Sequence, residues 1–110
     1  MDLTENKIQE LQIIEQNLQS IYAQKQAVQL ELNEATNALE ELKKSNDEVY
    51  RIISGIMIKS DKGNLIKELE EKNKLLELRI KTLEKQEDIF ERKSSEYRKE
   101  VAESMKNSKN

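Results

Sequence analysis

The chain has 110 residues, of which 35% are hydrophobic, 4% aromatic and 37% charged, with 19 basic against 22 acidic side chains. So small an apolar share leaves two options: a disordered chain, or an elongated one whose core is a thin seam. With no Cys and no His, disulfides, thiolate metal sites and a Cys nucleophile are excluded, as are the commonest general base and metal ligand, so an enzyme is the weakest functional class.

The start, Met1-Asp2-Leu3-Thr4-Glu5, lacks a cationic stretch followed by an apolar core, so no signal peptide is expected. No apolar run approaches the ~20 residues of a membrane span. No clustered basic footprint points to nucleic acid, and no glycine-rich loop could cradle a nucleotide phosphate. The expectation is a cytoplasmic protein without cofactor, metal, membrane or nucleic-acid partner.

Both glycines, Gly55 and Gly63, lie in the middle, and there is no Pro. The first flank, about residues 5–44, is rich in Glu, Lys, Gln and Leu, which favour helix. With Leu11 at heptad position a, the a sites are Leu11, Leu18, Lys25, Leu32 and Leu39. The d sites are Ile14, Ile21, Val28, Ala35 and Leu42. Only Lys25 is not apolar, which marks a coiled-coil helix.

Next comes Val49 to Lys59, two β-branched runs on either side of Ser54-Gly55, which is a hairpin pattern over about 48–60 with Gly55 supplying positive φ. Lys43 and Lys44 suit the carbonyl end of the first helix, which Ser45-Asn46-Asp47 ends. Asp61 or Asn64 can cap a second helix over about 62–105. In that helix the d sites are Leu69, Leu76, Leu83, Phe90 and Tyr97. Its a sites are Ile66, Asn73, Ile80, Glu87, Ser94 and Val101, and the polar members help to set register.

The two helices can pair with each other. An antiparallel register symmetric about residue 54 sets Leu11 against Tyr97, Leu18 against Phe90, Lys25 against Leu83, Leu32 against Leu76 and Leu39 against Leu69. The reciprocal layers are Ile14/Ser94, Ile21/Glu87, Val28/Ile80, Ala35/Asn73 and Leu42/Ile66. Lys25 and Glu87 then fall in neighbouring layers and read as a register device. The predicted fold is mainly α: a long antiparallel two-helix coiled coil with one β-hairpin at the bend, a single domain over 1–110 with frayed ends.

The hairpin is the anomaly. A lone two-stranded hairpin is marginal in water. This one carries Val49, Ile52, Ile53, Ile56, Met57 and Ile58 with only two helix ends to cover one face. Its open edges and second face predict oligomerisation by sheet formation with other chains, through Val49, Tyr50, Ile52, Ile53, Gly55, Ile56, Met57 and Ile58.

Two stretches then resemble a known family. Glu48-Val49-Tyr50-Arg51-Ile52-Ile53-Ser54-Gly55-Ile56-Met57-Ile58-Lys59-Ser60-Asp61 resembles the hairpin of beta-class prefoldin subunits of the archaeal type. Leu76-Glu77-Leu78-Arg79-Ile80-Lys81-Thr82-Leu83-Glu84-Lys85-Gln86-Glu87 resembles the start of their second helix. Glu40-Glu41-Leu42 fits as well, and a single hairpin suits the beta class. The resemblance implies a hexamer of two alpha-class and four beta-class chains whose hairpins form a double β-barrel platform. It further implies ATP-independent holding of unfolded client polypeptides at the coiled-coil tips and their delivery to a group II chaperonin.

The tips would be residues 1–20 and 90–110. Client-contact candidates there are Ile8, Leu11, Ile13, Ile14, Ile89, Phe90, Tyr97 and Val101, with Leu3 and Met105 as further apolar side chains. Seam packing is the competing role for Leu11, Ile14, Leu18, Phe90 and Tyr97, which hold a or d sites, whereas the seam does not need Ile8, Ile13 or Ile89. Weak layers such as Ile14/Ser94 are expected to be partly unzipped. The seam between tips and hairpin would be a spacer about 60 Å long, at 1.5 Å for each of ~40 residues. Leu30, Leu75 and Leu78 lie off the seam, where a local drift from the strict heptad would account for them. Competing functions are a structural scaffold that only joins partner proteins, and an RNA-binding helical arm, against which the missing basic stripe argues.

Overall fold

The computed structural model describes residues 3–108. In chain order it consists of helix α1 (Leu3–Lys44), strands β1 (Val49–Ile53) and β2 (Ile56–Ser60), and helix α2 (Lys62–Ser108). The fold is the expected one, an antiparallel two-helix coiled coil interrupted by a single β-hairpin. Both helices run further than the sequence suggests, through residues 3–4 and 106–108, where fraying was expected. The rest of the expected frayed ends, residues 1–2 and 109–110, lies outside the described residues. Two compact units can be distinguished among the described residues: a hairpin unit, residues 27–80, and a terminal unit made of residues 3–26 and 81–108.

In the hairpin unit, α1 ends where its carbonyl terminus meets Lys43 and Lys44, whose charge complements the helix dipole. The Ser45 N–H still donates to Glu41 O at 3.0 Å, and the Asp47 N–H then turns to Ser45 Oγ at 3.2 Å. Lys62 Nζ donates to Ser45 O, tying the start of α2 to the end of α1. Asp61 caps α2: its Oδ2 accepts from the Asn64 N–H at 3.0 Å, and its carbonyl takes the first helical bond, from the Leu65 N–H. The seam of this unit buries Val28, Ala35, Leu76 and Ile80, with Leu32, Leu39, Leu42, Ile66, Leu69 and Asn73 half-buried. Burial of each such aliphatic side chain contributes about 1.5–3 kcal/mol in the limit of full coverage. Leu30, Leu75 and Leu78 are exposed while the a and d sites around them stay covered, so the heptad does not drift there. They point away from the seam.

The terminal unit buries Ile14, Leu18, Ile21, Leu83 and Ser94. Its half-buried layer includes Leu11, Lys25, Glu87, Phe90, Tyr97 and Val101. Lys25 Nζ lies 3.2 Å from Glu87 Oε2 and 4.0 Å from Glu84 Oε1. Lys7 pairs with Glu100 at 2.7 Å and Arg98 with Glu15 at 2.5 Å. The midpoints of these pairs fall within three residues of residue 54, the pivot of the register derived from the heptads. A one-heptad slip would separate them by about 10 Å along the axis.

Two expectations are corrected. The Ile14/Ser94 layer is closed: Ile14 is 6% and Ser94 5% exposed. Ser94 is small, and polar clasps flank it, with the Tyr22 hydroxyl donating to Glu91 Oε1 at 2.9 Å and Arg98 donating to Glu15. The hairpin, in turn, has neither face covered by the helix ends. Only Val49 and Ser60, the pair nearest the helices in sequence, are half-buried, and the other residues of both strands are exposed.

Candidate functional site

Two apolar surfaces stand out, one in each unit. In the hairpin, β1 and β2 pair antiparallel with Ile52 opposite Met57, Ile53 opposite Ile56 and Arg51 opposite Ile58. Ser54 (φ 51°) and Gly55 (φ 79°) form a two-residue turn with both central residues left-handed. Such primed turns match the right-handed twist of the strands they join. The sequence identified the glycine; the strained serine beside it carried no signal. Exposure reaches 70% at Ile52, 66% at Met57 and 63% at Ile56, and Tyr50, Ile53 and Ile58 are also exposed.

A polar cluster guards the base of the hairpin. Glu48 accepts from Lys59 Nζ at 3.0 Å and from the Tyr50 hydroxyl at 2.9 Å. The Lys59 contact, followed by the Tyr50 hydroxyl, holds the Glu48 carboxyl below its ordinary range. Behind β1 an open groove is lined by Leu42, Val49, Ile52, Leu65 and Leu69, and the Arg51–Glu68 ion pair bridges it from strand to helix. Sequence reasoning missed this groove, because nothing in a heptad relates Arg51 to Glu68.

In the terminal unit the candidates divide. Ile13 and Ile89 are exposed at 57% and 52%, as are Leu3 and Met105, while Ile8, Leu11 and Val101 are half-buried and Ile14 is covered. Ile13, Ile14, Phe90 and Tyr97 come together in one shallow groove with Glu10, Asn17 and Lys93 on its rim. Ile8, Ile89, Leu11 and Val101 do not line it. Lys93 Nζ sits 5.9 Å from the centre of the Phe90 ring, a cation–π distance. The negative charge of Glu10 raises the Tyr97 phenol above its ordinary value, and the hydrogen bond to Glu91 does the same for Tyr22. Among the described residues no group of His, Cys, Asp and Glu could hold a metal ion, and no helix is long and apolar enough to cross a membrane. The arrangement offers open apolar surface in each unit.

The pattern that defines the prefoldin subunit family matches residues 5–108. The chain belongs to the prefoldin family. A prefoldin subunit beta of Archaeoglobus fulgidus is 39% identical over 94 residues, covering 84% of this chain and 81% of the relative. One from Methanothrix thermoacetophila is 36% identical over 103 residues, covering 92% and 86%. The crystal structure of the prefoldin beta subunit from Thermococcus strain KS-1 superposes with a TM-score of 0.86 at 32% identity, covering 94% of this chain and 93% of that one. The resemblance read from the hairpin and the second helix is therefore a family relationship spanning the chain. Membership makes it a non-enzymatic chaperone subunit that assembles with other prefoldin subunits.

Proposed function

We propose that the chain is a subunit of an ATP-independent holdase acting in the cytoplasm, which captures non-native polypeptides on its terminal unit and passes them to a group II chaperonin. Assembly runs through the hairpin, in a hexamer of two alpha-class and four beta-class chains. The observation that carries the reading is the separation of two kinds of apolar surface. The hairpin presents β-branched side chains on strands with open edges, a surface suited to pairing with other strands. The terminal unit presents Ile13 and Ile89 on helices whose seam is already closed by other residues. Helical surface with scattered exposed apolar groups and a shallow aromatic groove suits a client without fixed structure.

The test is the triple variant Ile8→Ser, Ile13→Ser, Ile89→Ser, assayed for suppression of aggregation of a guanidine-unfolded client and for oligomer mass by native mass spectrometry. The expected result is unchanged oligomer mass with most of the suppression lost. Unchanged mass with unchanged suppression would refute client holding on this unit and leave a scaffold that only joins partner proteins. The chain alone and mixed with an alpha-class subunit, weighed the same way, tests the stoichiometry.

A further inference from the structure

Within the terminal unit the outward faces of the two helices differ in charge. From Gln9 to Gln26 of α1, the heptad positions that face away from the seam (b, c and f) carry five glutamines together with Ile13, Ser20 and Ala23. All are exposed and none is charged. The equivalent positions of α2 between Lys81 and Lys99 include Lys81, Lys85, Asp88, Arg92, Glu96 and Lys99. In a chain that is 37% charged, a helix face that only has to meet water takes the composition α2 has. The uncharged strip of α1 is about 25 Å long at 1.5 Å per residue. It adjoins the aromatic groove through Ile13, which belongs to both.

We infer that this glutamine strip is the part of the holding surface that takes the main chain of a non-native polypeptide, whatever the charge of its side chains. The inference rests on the holdase reading above and assigns it a recognition chemistry. A non-native segment has two constant features, unpaired backbone N–H and C=O groups and intermittent apolar side chains, whereas its charge varies. A glutamine amide is donor and acceptor at once, so it can meet either backbone group. Being neutral, it avoids the desolvation cost that binding would impose on Lys or Glu. It also repels neither acidic nor basic clients. Apolar side chains of the same segment fit the adjoining groove, between Ile13 and Phe90.

Two triple variants test this: Gln12→Glu, Gln16→Glu, Gln19→Glu, and the same positions changed to Lys. Each is assembled as the unmodified protein assembles. The clients are guanidine-unfolded lysozyme, which is basic, and reduced α-lactalbumin, which is acidic. The unmodified protein should hold both, with less than about twofold change between low and high salt, because no exposed charge on the strip is available to be screened. The Glu variant should hold lysozyme about threefold better and α-lactalbumin about threefold worse at low salt, and the Lys variant the reverse, since three added charges act on client charge. If both variants hold both clients as the unmodified protein does, the inference is overturned. It is equally overturned if either variant changes the oligomer mass, because the strip would then pack against another copy of the chain. The Ile8, Ile13, Ile89 variant separates the two readings. Holding lost there but untouched by the glutamine changes leaves the holdase reading standing and removes only this inference.

Discussion

Replacing Asn73 should stabilise the coiled coil and loosen its register. Asn73 holds an a site in the hairpin unit, in the layer that also contains the buried Ala35, and its Oδ1 is buried without a hydrogen-bond partner among the described residues. An unmet buried acceptor costs about 1–3 kcal/mol. Asn73→Leu removes that cost and adds apolar contact with Leu76, one turn on, and with the opposite helix. Some of the gain is offset by fitting a larger side chain, for which overpacking penalties run to about 1 kcal/mol or more. The expected net gain is about 1–2 kcal/mol. For a chain of this size that corresponds to roughly 5–10 °C in Tm. The measurement is guanidinium and thermal unfolding at fixed protein concentration, since assembly makes the midpoint concentration-dependent. The loss of register control is read separately, from the yield of a Leu18→Cys/Phe90→Cys disulfide, which should be high in the otherwise unmodified chain and lower with Asn73→Leu added. A Leu variant no more stable than the parent would refute the reasoning that the unmet Oδ1 costs more than the larger side chain does, and an unchanged disulfide yield would show that Asn73 does not guard the register.

The half-buried Lys25–Glu87 pair should behave in the same spirit: Lys25→Ala alone costs about 1 kcal/mol by leaving Glu87 unpaired in the seam, while Lys25→Leu with Glu87→Leu is neutral or stabilising. A double-mutant cycle in chemical denaturation measures it, and additivity of the single changes would refute the coupling. At the turn, Ser54→Asn should slow hydrogen exchange in β1 and β2 by relieving the left-handed conformation, worth about 0.5–1 kcal/mol, and Ser54→Val should speed it. Equal exchange in the two variants would contradict the strain. Glu48 titrates below its ordinary value in the folded chain, so its contribution to stability is present above the unfolded pKa and is lost as pH falls through the lower, folded one. Glu48→Gln should remove that part of the acid sensitivity of the hairpin amides, observed by NMR across the acid range, and an unchanged pH profile would refute the assignment.

Much of this architecture is legible because a coiled coil repeats one local rule. Leu18, Ile21, Val28 and Leu76 each announce their burial through spacing, and Lys25 and Glu87 can be matched because the pivot at residue 54 ties every layer to every other. Gly55 marks the turn for a similar reason: one backbone conformation strongly favours one residue type. What was not legible depends on the surroundings of a residue. The closure of the Ile14/Ser94 layer comes from Tyr22, Glu91, Glu15 and Arg98, none of which holds an a or d site. The exposure of both hairpin faces depends on how far the helix ends reach over the strands. The split of the client-contact candidates into exposed Ile13 and Ile89 and covered Ile14 follows from a heptad assignment. The meeting of Ile13, Phe90 and Tyr97 in one groove depends on how the side chains of the two helices lie against each other, which the heptad spacing of either helix alone does not set.

The pivot at residue 54 has a hereditary consequence. In the register read from the heptads every layer pairs a residue of α1 with one of α2 at an equal chain distance from the turn, so within the seam the two helices cannot change length independently. Seven residues inserted into α1 alone would shear every pairing on the far side of the insertion by a full heptad, parting Lys25 from Glu87 or Glu15 from Arg98. Such a change is tolerated only when α2 acquires a matching insertion at the mirrored position, or when the insertion falls beyond the last layer. Length variation among chains built this way should therefore appear either as paired events equidistant from the turn or as additions at the two termini.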